Sequence, residues 1–361
     1  SNSIVPETKN ILISPLNWGL GHATRLIPII DWCVENNKNV VIAGNGESLS
    51  LLKKKYPQLI SENIPAPKMK YGRKRAINIA FIFRSLLMIA NIIRERIYTR
   101  NLIKKHKIDT IISDNRPGIW SRKLKTIYIS HQLNVFTDKS QNLSGKILSF
   151  MHRRVIKKYT HCWIPDYENE LSIAGRMSQN NHNLKLNYIG ILSRFAEISR
   201  PVNIEQEYKI VCIASGPEPQ RSILENNFKE LLIKSGQKSL IIRGLPKETD
   251  DNLETPLVKT INHCADDDFY KYITEADIIF CRSGYTTVMD LLALGRKALL
   301  VPTPGQPEQE YLAEHLEKNA GFILIEQSQL TEFDFNNFKI INRSDKTFDT
   351  STYKKVLALH L

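Results

Sequence analysis

A chain of 361 residues exceeds the size at which one compact core keeps growing, so two domains are expected. With 42% hydrophobic and 24% charged residues it has the composition of an ordinary soluble globular protein, and polar groups interrupt every long apolar stretch, which argues against a transmembrane helix. The net charge of +13 is uneven: residues 1–190 hold 30 Lys/Arg against 12 Asp/Glu and residues 191–361 hold 20 against 25, which points one half at a polyanion or an anionic membrane.

In chain order, "NILISPL" (10–16) reads as a strand and residues 23–36 as a helix. Between them lies "NWGLGHATRLIP" (17–28), where Gly19 and Gly21 allow close backbone approach and His22 stands at a helix start. "NVVIAG" (39–44) is a second strand and "ESLSLLKKKY" (47–56) a helix. From Lys68 to Lys107 there are 12 basic residues and one acid, Glu95, around the apolar "AINIAFIFRSLLMIANII" (76–93). Such flanks suit a helix lying on anionic lipid; a buried core helix with solvated ends is the plainer alternative. "IDTIISD" (108–114), "KTIYIS" (125–130) and "THCWIPD" (160–166) are further strands. Their short β-branched runs are those of strands covered on both faces.

After "LNYIGILSRF" (186–195) comes the polar "AEISRPVNIEQEY" (196–208), the best linker candidate. The pattern restarts with "KIVCIAS" (209–215), "SLIIRG" (239–244), "ADIIFC" (276–281) and "KALLVP" (297–302). This alternation predicts an α/β chain of two Rossmann-like, doubly wound domains, 1–195 and 209–361, joined once by 196–208 and facing a central cleft. Five cysteines form no C-x-x-C pair and sit mostly in apolar runs, as buried free thiols in a reducing cytoplasm do. No RRM, KH or helix-turn-helix pattern appears, so nucleic acid is not an expected partner.

The stretch "ADIIFCRSGYTTVMDLLALGRKALLVPTPGQPEQEYLAEHLEKNAGFILIEQ" (276–327) resembles the nucleotide-sugar signature of the GT-B glycosyltransferases of family 28, specifically those of the MurG type. Arg282-Ser283-Gly284, Asp290, Val301-Pro302 and Gln309-Glu310 follow in the family's order. On physical grounds Ser283, Gly284 and Tyr285 lie between strand and helix, where free amides and the helix dipole favour a diphosphate. The resemblance implies that Asp290 accepts ribose hydroxyls, where the family usually has Glu; the plain alternative is a helix-surface acid. Gln309 resembles the glutamine that reads sugar hydroxyls, and Glu310 stands where the family often has a second Gln, which leaves the donor sugar open. Arg194 matches an arginine on the nucleotide diphosphate, and a solvated linker arginine is its alternative. Ser215 and Gly216 match a second phosphate-side loop, although "ASGPEPQR" (214–221) carries prolines that cannot donate; Arg221 is the candidate to supply the missing charge. Ala265, with Asp266, matches the turn whose backbone reads uracil, which makes UDP the expected nucleotide.

The N-terminal "GLGH" (19–22) resembles the family's glycine-rich loop, and His22 is a candidate base or diphosphate contact, since imidazole titrates near neutrality. "SDNRPG" (113–118) replaces the family's glycine-rich acceptor loop, which implies an acceptor other than the peptidoglycan lipid. "SHQLN" (130–134) resembles an H-E-Q-N region. Asp114 is thus a candidate base, and Asn115 and His131 candidate acceptor-side residues, against an equal reading as turn caps. The resemblance as a whole implies an inverting transfer from a UDP-sugar to a hydroxyl acceptor, with no cofactor and no metal, at the inner face of the cytoplasmic membrane. A nucleotide-sugar hydrolase or epimerase on the same fold is the rival, and a non-catalytic polyanion-binding protein the more distant one.

Overall fold

The computed structural model describes residues 8–65, 77–135, 143–180, 184–197, 205–245, 255–337 and 348–361, and within these the side chains of 77–88 and 143–144 are left aside. The first sheet has seven parallel strands. They are β1 (Asn10–Pro15), β2 (Asn39–Gly44), β3 (Ile60–Asn63), β4 (Thr110–Asp114), β5 (Lys125–Ile129), β6 (His161–Ile164) and β7 (Leu186–Tyr188), in the order β3-β2-β1-β4-β5-β6-β7. Helices α1 (Gly21–Glu35), α2 (Gly46–Lys55), α3 (Ile77–His106) and α4 (Leu143–Ile156) connect them.

The second sheet has six parallel strands: β8 (Ile210–Ile213), β9 (Ser239–Ile242), β10 (Val258–Ile261), β11 (Ile278–Cys281), β12 (Leu299–Leu300) and β13 (Ile323–Leu324), in the order β10-β9-β8-β11-β12-β13. Its helices are α5 (Gln220–Ser235), α6 (Asp266–Glu275), α7 (Tyr285–Ala293) and α8 (Pro307–Ala320). Ile11, Leu12 and Ile13 in one sheet and Ile210, Val211 and Cys212 in the other are almost wholly buried, because helices cover both faces of each sheet. In each sheet the first strand in sequence pairs with the fourth (β1 with β4, β8 with β11). The order reverses there, and the crevice at the carboxyl ends opens at that point.

One expectation needs correcting. The last helix, α9 (Thr352–His360), belongs by contact to the first sheet, not to a self-contained unit 209–361. Trp163 Nε1 donates to His360 Nδ1 at 2.9 Å, Lys125 Nζ to the His360 carbonyl at 2.6 Å, and the His161 and His360 rings stack at 3.8 Å. The chain therefore crosses between the units twice. Of the linker 196–208, residues 198–204 lie outside the described residues.

The basic apolar segment forms the 30-residue α3, about 45 Å long at 1.5 Å per residue; residues 66–76 before it lie outside the described residues. Ile89, Ile93 and Ile97 are exposed along one stripe of α3, since residues four apart share a helix face. The opposite face is anchored by Glu95, whose carboxylate takes Arg116 Nε at 2.8 Å and the Gly118 amide at 3.1 Å. No helix of the described residues is long and apolar enough to cross a membrane. All five cysteines are free, and only Cys264 is partly exposed.

Candidate active site between the two sheets

The loop after β1 and the ends of β4 and β5 bring one ionic cluster together. Arg25 lies one turn after His22 on α1, so both side chains reach the last residue of β4, Asp114. Arg25 Nε donates to Asp114 Oδ2 at 2.7 Å and its Nη2 donates to Oδ1. His22 Nδ1 is 3.1 Å from Asp114 Oδ2 and 3.0 Å from Arg25 Nη2. Arg25 Nη1 lies 3.2 Å from His131 Nδ1, and His131 Nε2 lies 3.0 Å from Glu308 Oε1 at the start of α8.

Proton bookkeeping follows from the guanidinium, which only donates. His131 Nδ1 must accept from Arg25, so its proton is on Nε2 and points to Glu308. At His22 a proton on Nδ1 satisfies Asp114, while Arg25 Nη2 already has Oδ1 as its acceptor. That tautomer leaves His22 Nε2, which makes no hydrogen bond to a described residue, as a free base. Burial, reinforced by the Arg25 charge, pushes His22 below its ordinary value even against Asp114, so the ring is neutral near pH 7. Burial alone would raise Asp114, but Arg25 and His22 outweigh it and hold the carboxyl at about 2. At Glu308, too, burial is overcome by the bond from His131 and by the His22 and Arg25 charges, which keep it below the usual carboxylate range.

The second unit meets this cluster directly. Tyr285, the first residue of α7, stacks on His131 with centroids 4.1 Å apart and donates its hydroxyl to the Pro165 carbonyl at 2.7 Å. Thr286 Oγ1 donates to the Gly21 carbonyl at 3.3 Å. A Cβ on Gly21 would come within 2.9 Å of that hydroxyl, so glycine is needed for the close approach rather than for an unusual φ. Gly21→Ala is expected to loosen this closed arrangement at a cost of about 1–3 kcal/mol, read as a larger radius of gyration by small-angle scattering; an unchanged radius and melting temperature would refute it.

On the second unit's side, Asp290 accepts from Ser193 Oγ at 2.6 Å, and burial pushes it up to about 6 despite the Arg194 charge. Arg194 Nη1 donates to Asp266 Oδ1 at 2.7 Å and its guanidinium lies over the Phe195 and Phe269 rings. Ala265 is the residue before α6, whose first turn carries Asp266, Asp267 and Asp268. Ser283 Oγ donates to the Gln309 carbonyl at 2.7 Å, Gln309 Oε1 accepts the Thr303 amide at 2.9 Å, and Glu310 Oε1 accepts the Gly305 amide at 2.9 Å. Gln309 and Glu310 thus staple the loop after β12, and the Gln309 amide nitrogen makes no hydrogen bond to a described residue. Gly284 caps α7 in extended conformation, and Ser215 and Gly216 stand at the open end of β8, Gly216 with φ +120° and no neighbour within 4 Å. Gly19, at φ +72°, is equally open. Asn115, at φ 53°, accepts from the Tyr128 hydroxyl at 3.2 Å.

Two expectations are corrected here. Arg221 does not supply free charge to the phosphate loop, because Glu218 and Glu225 hold its guanidinium. Arg282 gives its Nη atoms to the carbonyls of Val301, Pro302 and Gln220 instead of presenting them to a ligand. Sequence reasoning noted Arg25 without assigning it a role and passed over Glu308. The signals were present: Arg25 shares a helix face with His22, and Glu308 directly precedes Gln309.

Residues 225–349 match the glycosyltransferase family 28 C-terminal domain. The UDP-N-acetylglucosamine--N-acetylmuramyl-(pentapeptide) pyrophosphoryl-undecaprenol N-acetylglucosamine transferase of Francisella philomiragia is 22% identical over 90% of this chain and 86% of its own length. The enzyme of the same name from Actinobacillus pleuropneumoniae is 25% identical over 64% of this chain, which spans 63% of that relative's length. Among solved structures, MurG of Acinetobacter baumannii superposes with a TM-score of 0.58 at 11% identity, covering 98% of this chain and 99% of MurG. The calicheamicin glycosyltransferase CalG4 gives 0.61 at 9% identity, covering 90% and 87%. The family 28 match thus lies in the second unit, over residues 225–349, and the two parallel sheets facing one cleft share the GT-B fold of these solved glycosyltransferases.

Proposed function

We propose that this chain transfers a sugar, with inversion at the anomeric carbon, from a UDP-sugar to a hydroxyl of a lipid-linked acceptor at a membrane surface. The observation that carries the reading is the His22–Asp114 pair set against the first turn of α7, with Thr286 on the Gly21 carbonyl. His22 Nε2 takes the acceptor's proton as the hydroxyl attacks the anomeric carbon, and Asp114 stabilises the imidazolium that forms. The bond to the leaving diphosphate breaks, and its growing charge meets the free amides at the start of α7. Charge neutralisation is thereby assigned to the chain itself, without a metal. Asp290 takes the ribose hydroxyls once Ser193 yields, and the Gln309 amide reads the sugar. Both relatives named above carry UDP-N-acetylglucosamine and a pyrophosphoryl-undecaprenol acceptor in their names, which supports the donor and acceptor classes.

Thermal stabilisation by UDP, GDP, CDP and dTDP tests the donor site. One nucleotide at about 100 times its Kd adds roughly 2.7 kcal/mol, with or without a chelator, and Asp290→Ala abolishes the shift. Since only the carboxylate accepts two ribose hydroxyls, UDP affinity is expected to fall as pH drops below about 6, where Asp290 takes up its proton. A nucleotide shift that is indifferent to pH and to Asp290→Ala would assign the binding elsewhere.

The membrane face is assigned to α3 and α4. The exposed Ile89, Ile93 and Ile97 of α3 and Ile147, Phe150 and Met151 of α4 lie among Arg94, Arg100, Arg153 and Arg154. Apolar side chains with basic neighbours suit an anionic interface. Replacing Ile93 and Ile97 together by Glu is expected to reduce co-sedimentation with phosphatidylglycerol vesicles on the order of tenfold or more. Equal sedimentation of parent and variant would remove this face from the proposal.

A further inference from the structure

Arg282 is 1% exposed and immediately precedes the loop from which α7 starts. Its Nη1 donates to the carbonyls of Val301 at 3.0 Å and Pro302 at 3.1 Å, and its Nη2 to that of Gln220 at 3.0 Å. Its Nε is buried with no partner. No ion pair among the described residues involves it. Arg221, also buried in this unit, is by contrast neutralised by Glu225, which takes Lys229 and Arg243 as well. Burial pushes the guanidinium down only to about 10, so it keeps its proton at neutral pH. Buried charges ordinarily carry a countercharge, and three carbonyl dipoles solvate this one without cancelling it. Thr303 Oγ1 and Gln327 Oε1 are likewise buried without partners. Arg282, Thr303 and Gln327 each follow the end of one of three adjacent strands, β11, β12 and β13.

We propose that Arg282 works on the donor diphosphate by its charge alone: an uncancelled buried cation beneath the Ser283–Tyr285 amides that strengthens anion binding without touching the ligand. The inference rests on the donor site proposed above. The α7 amides supply the directional bonds, and the guanidinium, tied back by its three carbonyls, supplies a fixed field. Because the site is partly desolvated, that field is weakly screened, whereas a surface lysine's would be lost to salt. One partly screened unit charge beneath the site is expected to change the affinity for a diphosphate by about tenfold or more. A neutral nucleoside gains almost nothing from it.

Calorimetric titration with UDP, uridine and inorganic pyrophosphate separates the possibilities. In Arg282→Gln, UDP and pyrophosphate are expected to bind more weakly by about tenfold or more, with the uridine Kd unchanged. A folded Arg282→Gln that binds UDP within about twofold of the parent overturns the proposal, as does one that loses UDP and uridine equally. If Arg282→Gln does not fold, Arg282→Lys carries the test. Lysine keeps the charge but cannot span three carbonyls, so it must lower the melting temperature while keeping the parent's UDP-to-uridine affinity ratio. A ratio that falls together with the melting temperature overturns the proposal. Failure of the unsubstituted chain to bind any nucleoside diphosphate instead overturns the donor site itself, and is recognisable because it needs no substitution.

Discussion

Asp114→Ala is expected to cost about 3–5 kcal/mol of stability, the largest effect of any single substitution in the cluster. The reason is Arg25, which is 1% exposed and has both Asp114 oxygens as acceptors. Removing the carboxylate leaves a guanidinium buried among His22, His131 and the floor of the cleft, with Glu308 reachable only through His131. The melting temperature should fall on the order of 10 °C. Substituting Arg25→Met as well should restore part of the loss, since deleting both partners of a buried pair costs far less than deleting one. A double variant as unstable as Asp114→Ala would show that the pair is not the cause. The pH dependence has a fixed sign. Asp114 titrates at about 2 in the folded chain against an ordinary 3.8, so its contribution is complete above about pH 4 and is lost as pH falls toward 2. The parent should therefore lose stability in that window more steeply than the double variant.

The same cluster shows where sequence reading stops. His22 and Asp114 could be singled out separately, one by a glycine-rich loop and the other by its place at a strand end. Their pairing could not, because the two residues are 92 positions apart and no local pattern encodes which strand ends meet. Arg25 reads locally as one charge in an apolar helix, and only the parallel pairing of β1 with β4 brings Asp114 to it. Long, doubly covered strands such as β1 and β8 were legible because burial on both faces forces continuous apolar runs. β12 is read within "KALLVP", but β13, with two residues, is too short to leave a pattern. The C-terminal segment that forms α9 groups by sequence with 209–361, because its contacts with Trp163 and Lys125 lie 197 and 235 residues away, beyond any local pattern. Arg282 and Gln309 were found from the motif, while their carbonyl and amide partners depend on backbone geometry that side-chain identities do not report.

His22→Ala is expected to lower kcat for sugar transfer by about 10²- to 10⁴-fold while leaving UDP affinity and, within about 1 kcal/mol, stability unchanged. His22 keeps 15% of its side chain accessible and, unlike Asp114, leaves no uncompensated charge when deleted, because Arg25 retains Asp114. The loss should fall on kcat rather than KM, since a base contributes in the transition state and not in donor binding. Release of UDP from whichever UDP-sugar stabilises the parent, with membrane lipid extract as acceptor, gives the readout. The folded-state value of His22 lies below its ordinary 6.5, so its neutral form persists as pH falls through 6.5. Donor binding weakens as Asp290 protonates near 6. The Asp290 contribution to the acid limb of kcat/KM should therefore lie near pH 6 and shift in Asp290→Glu. A variant that retains a tenth or more of the parent's kcat would exclude His22 as the base. UDP release at the full rate without any lipid would keep His22 in place but make water the acceptor, turning the transferase into a hydrolase built on the same pair.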